Sequence, residues 1–304
     1  MTRRVVFASG KGGTGKTTLA ALMAIHAARE VPIVLADCDV EAANLPLALG
    51  AEDVSREPFA GWPAAAIDAA ACNSCGVCLQ VCRFEAVVYS GVRREFSIDP
   101  MLCEGCALCA SACPYDAIAL TPRESGEVII ARSAAGPLVY GRLRPGQDLS
   151  GKLVTEVRTL ADRLADDGAA ELVLVDGPPG TGCPATAAIA NTDLLIAVAE
   201  PTLSGEHDLA RLIALARRLG VPVAIVLNKA DLSASGALRI RERAAIESLP
   251  VIAEVLFDPA LAALAQRAEL GTFYAVGLPD APATLPGLAA IQTAWDEIRA
   301  RIAK

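Results

Sequence analysis

Short apolar runs alternate with longer amphipathic stretches along most of the chain. Residues 4–8 (RVVFA) predict a buried strand, which is followed by a glycine-rich loop and an alanine-rich helix over 17–29. A second strand is predicted at 32–36 (PIVLA). The alternation resumes after residue 150. It predicts helices at 152–166, 209–219 and 234–248, and strands at 171–175, 194–199, 221–227 and 251–257. Strands alternating with helices of this length predict an α/β, doubly wound, mostly parallel sheet covered on both faces.

Between these halves the texture changes. From about Trp62 to Thr121 there are only short segments, no lysine, and eight of the ten cysteines. Cys72, Cys75, Cys78 and Cys82 are repeated 31 positions later as Cys103, Cys106, Cys109 and Cys113, and Ala86-Val87 reappears as Ala117-Ile118. This is one small unit duplicated. The α/β pattern flanks it, so the expected organisation is a discontinuous domain, 1–60 plus 122–304, carrying an inserted domain at 61–121. Residues 122–150 are expected to be the return connection.

Composition narrows the function classes. The 304 residues leave room for two folded units, and 53% apolar with 20% charged excludes wholesale disorder. The most apolar stretches, such as 194–199, fall far short of the roughly 20 residues a bilayer helix needs, so no membrane role is expected. A net charge of −8 argues against nucleic acid as a partner. Residues 1–10 carry no secretory signal, which predicts a cytoplasmic location where ten cysteines serve metal or redox chemistry rather than disulfides.

Gly10-Lys-Gly-Gly-Thr-Gly-Lys-Thr-Thr18 satisfies the Walker A pattern between a predicted strand and a predicted helix. Backbone N–H groups of Gly10, Gly12, Gly13, Thr14 and Gly15 would curl around the phosphates at the helix N-terminus, with Thr18 in its first turn. Lys16 would neutralise phosphate oxygens and the Thr17 hydroxyl would ligate Mg²⁺. Asp176, ending the apolar run 172–176, reads as a Walker B carboxylate holding a metal-bound water.

A second lysine, Lys11, at the start of the loop resembles the deviant Walker A group of P-loop NTPases, the MinD, ParA and Mrp superfamily. That resemblance implies a homodimer in which Lys11 reaches the partner's nucleotide. It implies that Asp39, in Asp37-Cys38-Asp39, orients the attacking water, and that Gly-Pro-Pro-Gly-Thr at 177–181 is a switch. Glu-Pro-Thr-Leu-Ser-Gly-Glu-His-Asp-Leu at 200–209 is also similar. Asn228-Lys-Ala-Asp231 resembles a base-reading motif. Taken alone it does not choose between ATP and GTP; the family favours ATP, with Asn228 and Asp231 on the base side.

Cys-x2-Cys-x2-Cys-x3-Cys, twice, is the bacterial ferredoxin spacing for two [4Fe–4S] clusters, in which the fourth cysteine of each run serves the other cluster. That pattern assigns Cys72, Cys75, Cys78 and Cys113 to one cluster and Cys82, Cys103, Cys106 and Cys109 to the second. Paired zinc ribbons are the competing assignment, disfavoured because zinc sites use separated C-x2-C pairs. Pro114 follows the second run as the pattern expects, whereas Arg83 stands after the first.

The whole therefore resembles a MinD-superfamily ATPase with an inserted ferredoxin-like α+β domain. The resemblance implies ATP hydrolysis, activated by a dimer or a partner. It is coupled either to electron transfer or to metal-cofactor assembly in an unidentified redox or metalloprotein partner. The alternative is a positioning or scaffold ATPase that uses the inserted domain as redox sensor or docking module. No cysteine follows Cys183, unlike Mrp-type carriers. Cys38 is expected to be a buried apolar filler, and His26 and His207 to lie on helix surfaces. Leu288, Ile291, Trp295, Ile298 and Ile302 are expected to pack a C-terminal helix onto the core.

Overall fold

The computed structural model describes residues 2–147, 150–267, 269–270 and 286–303. The chain forms two compact units. The first comprises 1–57, 128–142 and 150–304; the second comprises 58–127 and 143–149.

The first unit is built on parallel strands that are apolar along both faces. They are β1 (Arg3–Ser9), β2 (Ile33–Asp37), β10 (Leu172–Pro179), β11 (Leu194–Ala199), β12 (Val223–Asn228) and β13 (Val251–Val255). With β3 (Glu52–Ala60), β8 (Glu124–Ser133) and β9 (Gly136–Leu143) they form one sheet in the order β13-β12-β11-β1-β10-β2-β9-β8-β3. All adjacent pairs from β13 to β9 are parallel. Runs such as Val5–Ala8 and Leu194–Ala199 are buried on both sides, because helices cover the two faces.

On one face lie α1 (Lys16–Ala27), α2 (Leu45–Ala48), α9 (Pro259–Gln266) and α10 (Pro286–Ile302). On the other, α5 (Ser150–Asp167), α6 (Cys183–Ile189) and α7 (Leu203–Leu219) pack successively against one another. Helix α8 (Ala234–Ile246) packs beside α7. Ile291, Trp295 and Ile298 of α10 are buried in the core with Phe7 and Leu22, and Leu288 and Ile302 pack at its margin.

Three elements depart from expectation. The segment 122–150 contains a β-hairpin, β8 and β9, turning at Ala134-Ala135. Strand β3 is exposed along most of its length and so carries no hydrophobic signature. Helix α7 begins at Leu203, six residues before the apolar stripe, because the Thr202 hydroxyl accepts the Gly205 N–H at 2.9 Å and caps the helix.

The second unit repeats its backbone as it repeats its sequence. It holds β4 (Ala64–Ile67), α3 (Val77–Val81), β5 (Val87–Ser90), β6 (Glu95–Ile98), α4 (Leu108–Ser111) and β7 (Ile118–Thr121). Left-handed φ values recur 31 positions apart: Ser74 at 62° and Gly105 at 66°, Gly76 at 77° and Ala107 at 64°, Glu85 at 54° and Asp116 at 50°. The two copies are intertwined. Strand β4 of the first pairs antiparallel with β7 of the second, and β6 of the second with β5 of the first.

Candidate functional site

Strand β1 delivers the chain at Gly10 to a loop that reverses into α1. Gly13 and Gly15 take φ of +80° and +86°, conformations that residues with a Cβ adopt at a cost. A Cβ on Gly15 would lie 2.3 Å from Asn228 Nδ2, so the loop packs directly on the end of β12. Asn228 Nδ2 donates to the Thr14 carbonyl at 2.7 Å, and Lys229 Nζ donates to the Gly13 carbonyl at 2.7 Å.

Lys16 is buried and donates to Asp176 Oδ1 at 2.5 Å, with the Thr17 hydroxyl 3.3 Å from its Nζ. Burial works against its ammonium, but Asp176, with Asp37 and Asp39 beyond it, holds its pKa above the ordinary lysine value. Asp37 is fully buried; burial and the neighbouring Asp176 push its carboxyl up to about 8, against the pull of Lys16. It accepts N–H groups from Asp39 and Leu45, both at 2.9 Å, which ties the end of β2 to α2. Burial also raises Asp39.

Thr14 Oγ1 and Asp176 Oδ2 are buried without a hydrogen-bond partner among the described residues. Unsatisfied buried oxygens are costly, and here they sit beside the glycine loop and the Lys16 ammonium. The donor set fits a magnesium nucleotide: loop N–H groups and Lys16 for phosphates, Thr17 for the metal, and Asp176 for a metal-bound water.

Beside the loop an open cavity of about 430 Å³ is lined by Gly15, Leu19, Leu22, Asn228, Phe257 and Asp258, among others. Asp231 is not in its lining. Its Oδ1 instead accepts the Phe257 N–H at 2.7 Å and braces the segment that walls the cavity. Asn228 thus faces both loop and cavity, whereas Asp231 is a strut.

Lys11 is held within its own chain. Its Nζ pairs with the Glu200 carboxylate and meets the hydroxyls of Ser204 at 2.9 Å and Thr202 at 3.3 Å. Glu200 also pairs with Lys229 at 3.3 Å. Burial alone would raise the Glu200 carboxyl, but the two lysines hold it below the usual range. Glu200 lies in the 200–209 stretch that resembles the family, where nothing local marks a role, and only the fold brings it to Lys11.

In the second unit the eight cysteines line two separate cavities. One is lined by Cys72, Cys75, Cys78 and Cys113 together with Ile67 and Phe96. The other is lined by Cys82, Cys103, Cys106 and Cys109 together with Phe84 and Ile98. Each set takes three cysteines from one run and the fourth from the other. The Ser74 N–H points at Cys72 Sγ at 3.4 Å and the Ala65 N–H at Cys103 Sγ at 3.5 Å. Among the described residues no three His, Cys, Asp or Glu side chains converge on a single metal-ion position. A cubane needs no such convergence, since it presents each of its four irons to a different thiolate.

Cys38 is fully buried, and burial pushes its thiol up. Cys183 is exposed at the start of α6. His207 is exposed, while His26 lies mostly buried 3.9 Å from Glu30.

The family description "CobQ/CobB/MinD/ParA nucleotide binding domain" matches residues 5–270. The chain belongs to that family. This MinD/ParA-family chain is 37% identical over 226 residues to an uncharacterized protein of Methanocaldococcus jannaschii, covering 74% of this chain and 78% of the relative. An uncharacterized ATP-binding protein of the same organism is 26% identical, over 92% of this chain and 82% of its own. Among solved structures, the septum site-determining protein MinD of Pyrococcus horikoshii, complexed with Mg-ADP, superposes with a TM-score of 0.57 at 18% identity, covering 98% of this chain and 96% of that one. A chain of the MinC:MinD cell division protein complex of Aquifex aeolicus gives 0.56 at 18% identity, covering 98% and 96%. At these identities the likeness is one of fold. No helix among the described residues is long and apolar enough to cross a membrane.

Proposed function

We propose that this MinD/ParA-family chain is an ATPase carrying two [4Fe–4S] clusters, in which nucleotide turnover governs electron transfer to, or metal-cofactor assembly in, a partner protein. The observation that carries this reading is the pair of cavities, each lined by four cysteines drawn three and one from the two runs. Cys72, Cys75, Cys78 and Cys113 would hold one cluster and Cys82, Cys103, Cys106 and Cys109 the other. When bound, the clusters supply one-electron chemistry at low potential.

On the nucleotide side the base is adenine. Asp231, which a guanine reader would turn to the base, is engaged by the Phe257 N–H. The loop at 10–18 would hold the phosphates, Thr17 would ligate Mg²⁺ and Asp176 a metal-bound water. Asp39 would orient the attacking water. Lys11 would complete the site of a second copy, for which it must leave Glu200. Asp37-Cys38-Asp39 precedes the second unit along the chain by about 20 residues, with β3 as the connection. Movement at Asp39 on hydrolysis thus has a short covalent route to the cysteine unit.

Anaerobic reconstitution followed by iron analysis, electron paramagnetic resonance and stopped-flow reoxidation tests the reading. Eight irons per chain, two cubane signals and a reoxidation rate that ATP changes in the wild type but not in Lys16→Ala are expected. Zinc in place of iron would overturn the cluster assignment. Identical rates with and without ATP would overturn the coupling and leave a positioning ATPase with a cluster-bearing docking module, the reading that the MinD-like fold favours.

A further inference from the structure

An open groove lies between α5 and α6. Helix α5 contributes Thr155, Arg158, Thr159 and Asp162, spaced so that they share one helix face. Arg4 comes from β1, and Ala187, Ala190 and Asn191 complete the lining. The wall presents carbon and polar atoms in comparable measure, as suits a small polar molecule built on a carbon skeleton.

The polar groups are held in place with donors and acceptors to spare. Arg158 Nη1 donates to the carbonyls of Ala187, at 2.8 Å, and Ala190. Among the described residues its Nε and Nη2 make no hydrogen bond, although the residue is mostly buried. Arg4 Nε donates to Asp162 Oδ1 at 2.8 Å and its Nη1 points at the Thr2 carbonyl at 3.5 Å, which leaves its Nη2. The hydroxyls of Thr155 and Thr159 donate to the carbonyls of Gly151 and Thr155, at 3.0 and 2.8 Å. Their oxygen lone pairs are therefore acceptors. Two guanidiniums against one carboxylate make the groove cationic on a chain whose net charge is −8.

We propose that this groove is an effector site for a small hydroxylated anion. Its carboxylate or phosphate would lie against Arg158 and Arg4, and its hydroxyls would donate to Thr155 and Thr159. Helix α6 starts at Cys183, directly after the glycine-proline segment 177–182 that follows Asp176, and Arg158 grips the other end of that helix. Burial lowers the Arg158 pKa, and an anion beside it relieves that cost. Occupancy therefore bears on the nucleotide site through one rigid helix, and the coupling is reciprocal.

The test uses the full chain with its phosphate loop filled by a non-hydrolysable ATP analogue, so that added anions cannot compete there. Glycerol 3-phosphate and malate are titrated separately against thermal unfolding, with ionic strength held by chloride, and analogue affinity is then measured with and without each. The expected result is a saturable rise in Tm with one or both anions, and a change of roughly 5-fold or more in analogue affinity. Both effects should be absent in Thr159→Glu, which puts a carboxylate into the groove and leaves the Arg158 grip on α6 intact, and in Arg158→Gln. Which anion acts distinguishes a phosphate from a carboxylate ligand. No saturable effect beyond chloride, or an equal effect in Thr159→Glu, overturns the site. Binding without any change in analogue affinity overturns its effector role.

Discussion

The two units of this chain solve the problem of folding in different ways. In the nucleotide-binding unit Trp295, Tyr140, Phe7, Leu22 and Met23 are fully buried, within a core that joins eight strands of the sheet to the helices on one face. In the cysteine unit the buried apolar cluster consists of Ala65, Cys78, Val87 and Ile118, and much of what packs on it is cysteine. Its exposed residues include Tyr89, Val92, Met101, Leu108 and Tyr115. A core that small does not offset the conformational entropy of the residues it orders. The first unit is thus held by apolar burial, while the second, on the reading proposed above, would depend on what its thiolates bind. The two should fail under different insults.

The sharpest way to separate them is to remove metal. Chelation under anaerobic conditions is expected to abolish hydrogen-exchange protection across residues 64–121 while leaving β1, β10 and β11 protected; equal loss in both units would break the comparison. Next in size is Lys16→Ala, expected to reduce ATP hydrolysis at least 100-fold with the iron content unchanged, as measured by phosphate release and metal analysis on one sample. Trp295→Ala should cost the first unit about 3–5 kcal/mol through the cavity it leaves. Denaturant titration should place that loss in its transition alone. Ile118→Ala, expected to cost about 2–4 kcal/mol, should shift only the second unit, and less in the metal-loaded chain than after chelation.

The smallest effect is one of pH. Asp37 has a folded pKa of about 8 against an ordinary value near 3.8, so the folded chain holds a proton that the unfolded chain releases between those values. Stability without nucleotide should therefore fall as pH rises from 6 to 8. Asp37→Asn should flatten that slope in denaturation curves, and an unchanged slope would assign it to another group.

Much of the first unit is legible in the sequence because burial on two faces leaves unbroken apolar runs, such as Leu194–Ala199. The hairpin of β8 and β9 is not, because Glu124, Gly126 and Glu127 interrupt the alternation where the sheet nears its edge. The start of α7 is hidden for a related reason: Ser204, Gly205 and Glu206 look like loop until Thr202 is seen to cap them. Lys16 and Asp176 are legible from the spacing of the loop and the apolar run, and Lys11 from the family resemblance that its place in the loop carries. The pairing of Lys11 with Glu200 could not, because a contact across 189 positions has no local signature. Asp231 shows the opposite failure: a familiar motif position that the fold uses as a brace.

One feature of the phosphate loop reaches beyond structure. The amide of Asn228 and the ammonium of Lys229 hold two of its carbonyls from outside, so the loop's curvature does not depend on an occupant. On the reading proposed above, an incoming triphosphate would meet a finished surface and need only draw Lys16 away from Asp176. Little ordering entropy is then charged to association, and nucleotide exchange should be paced by diffusion and departure rather than by rebuilding of the cradle.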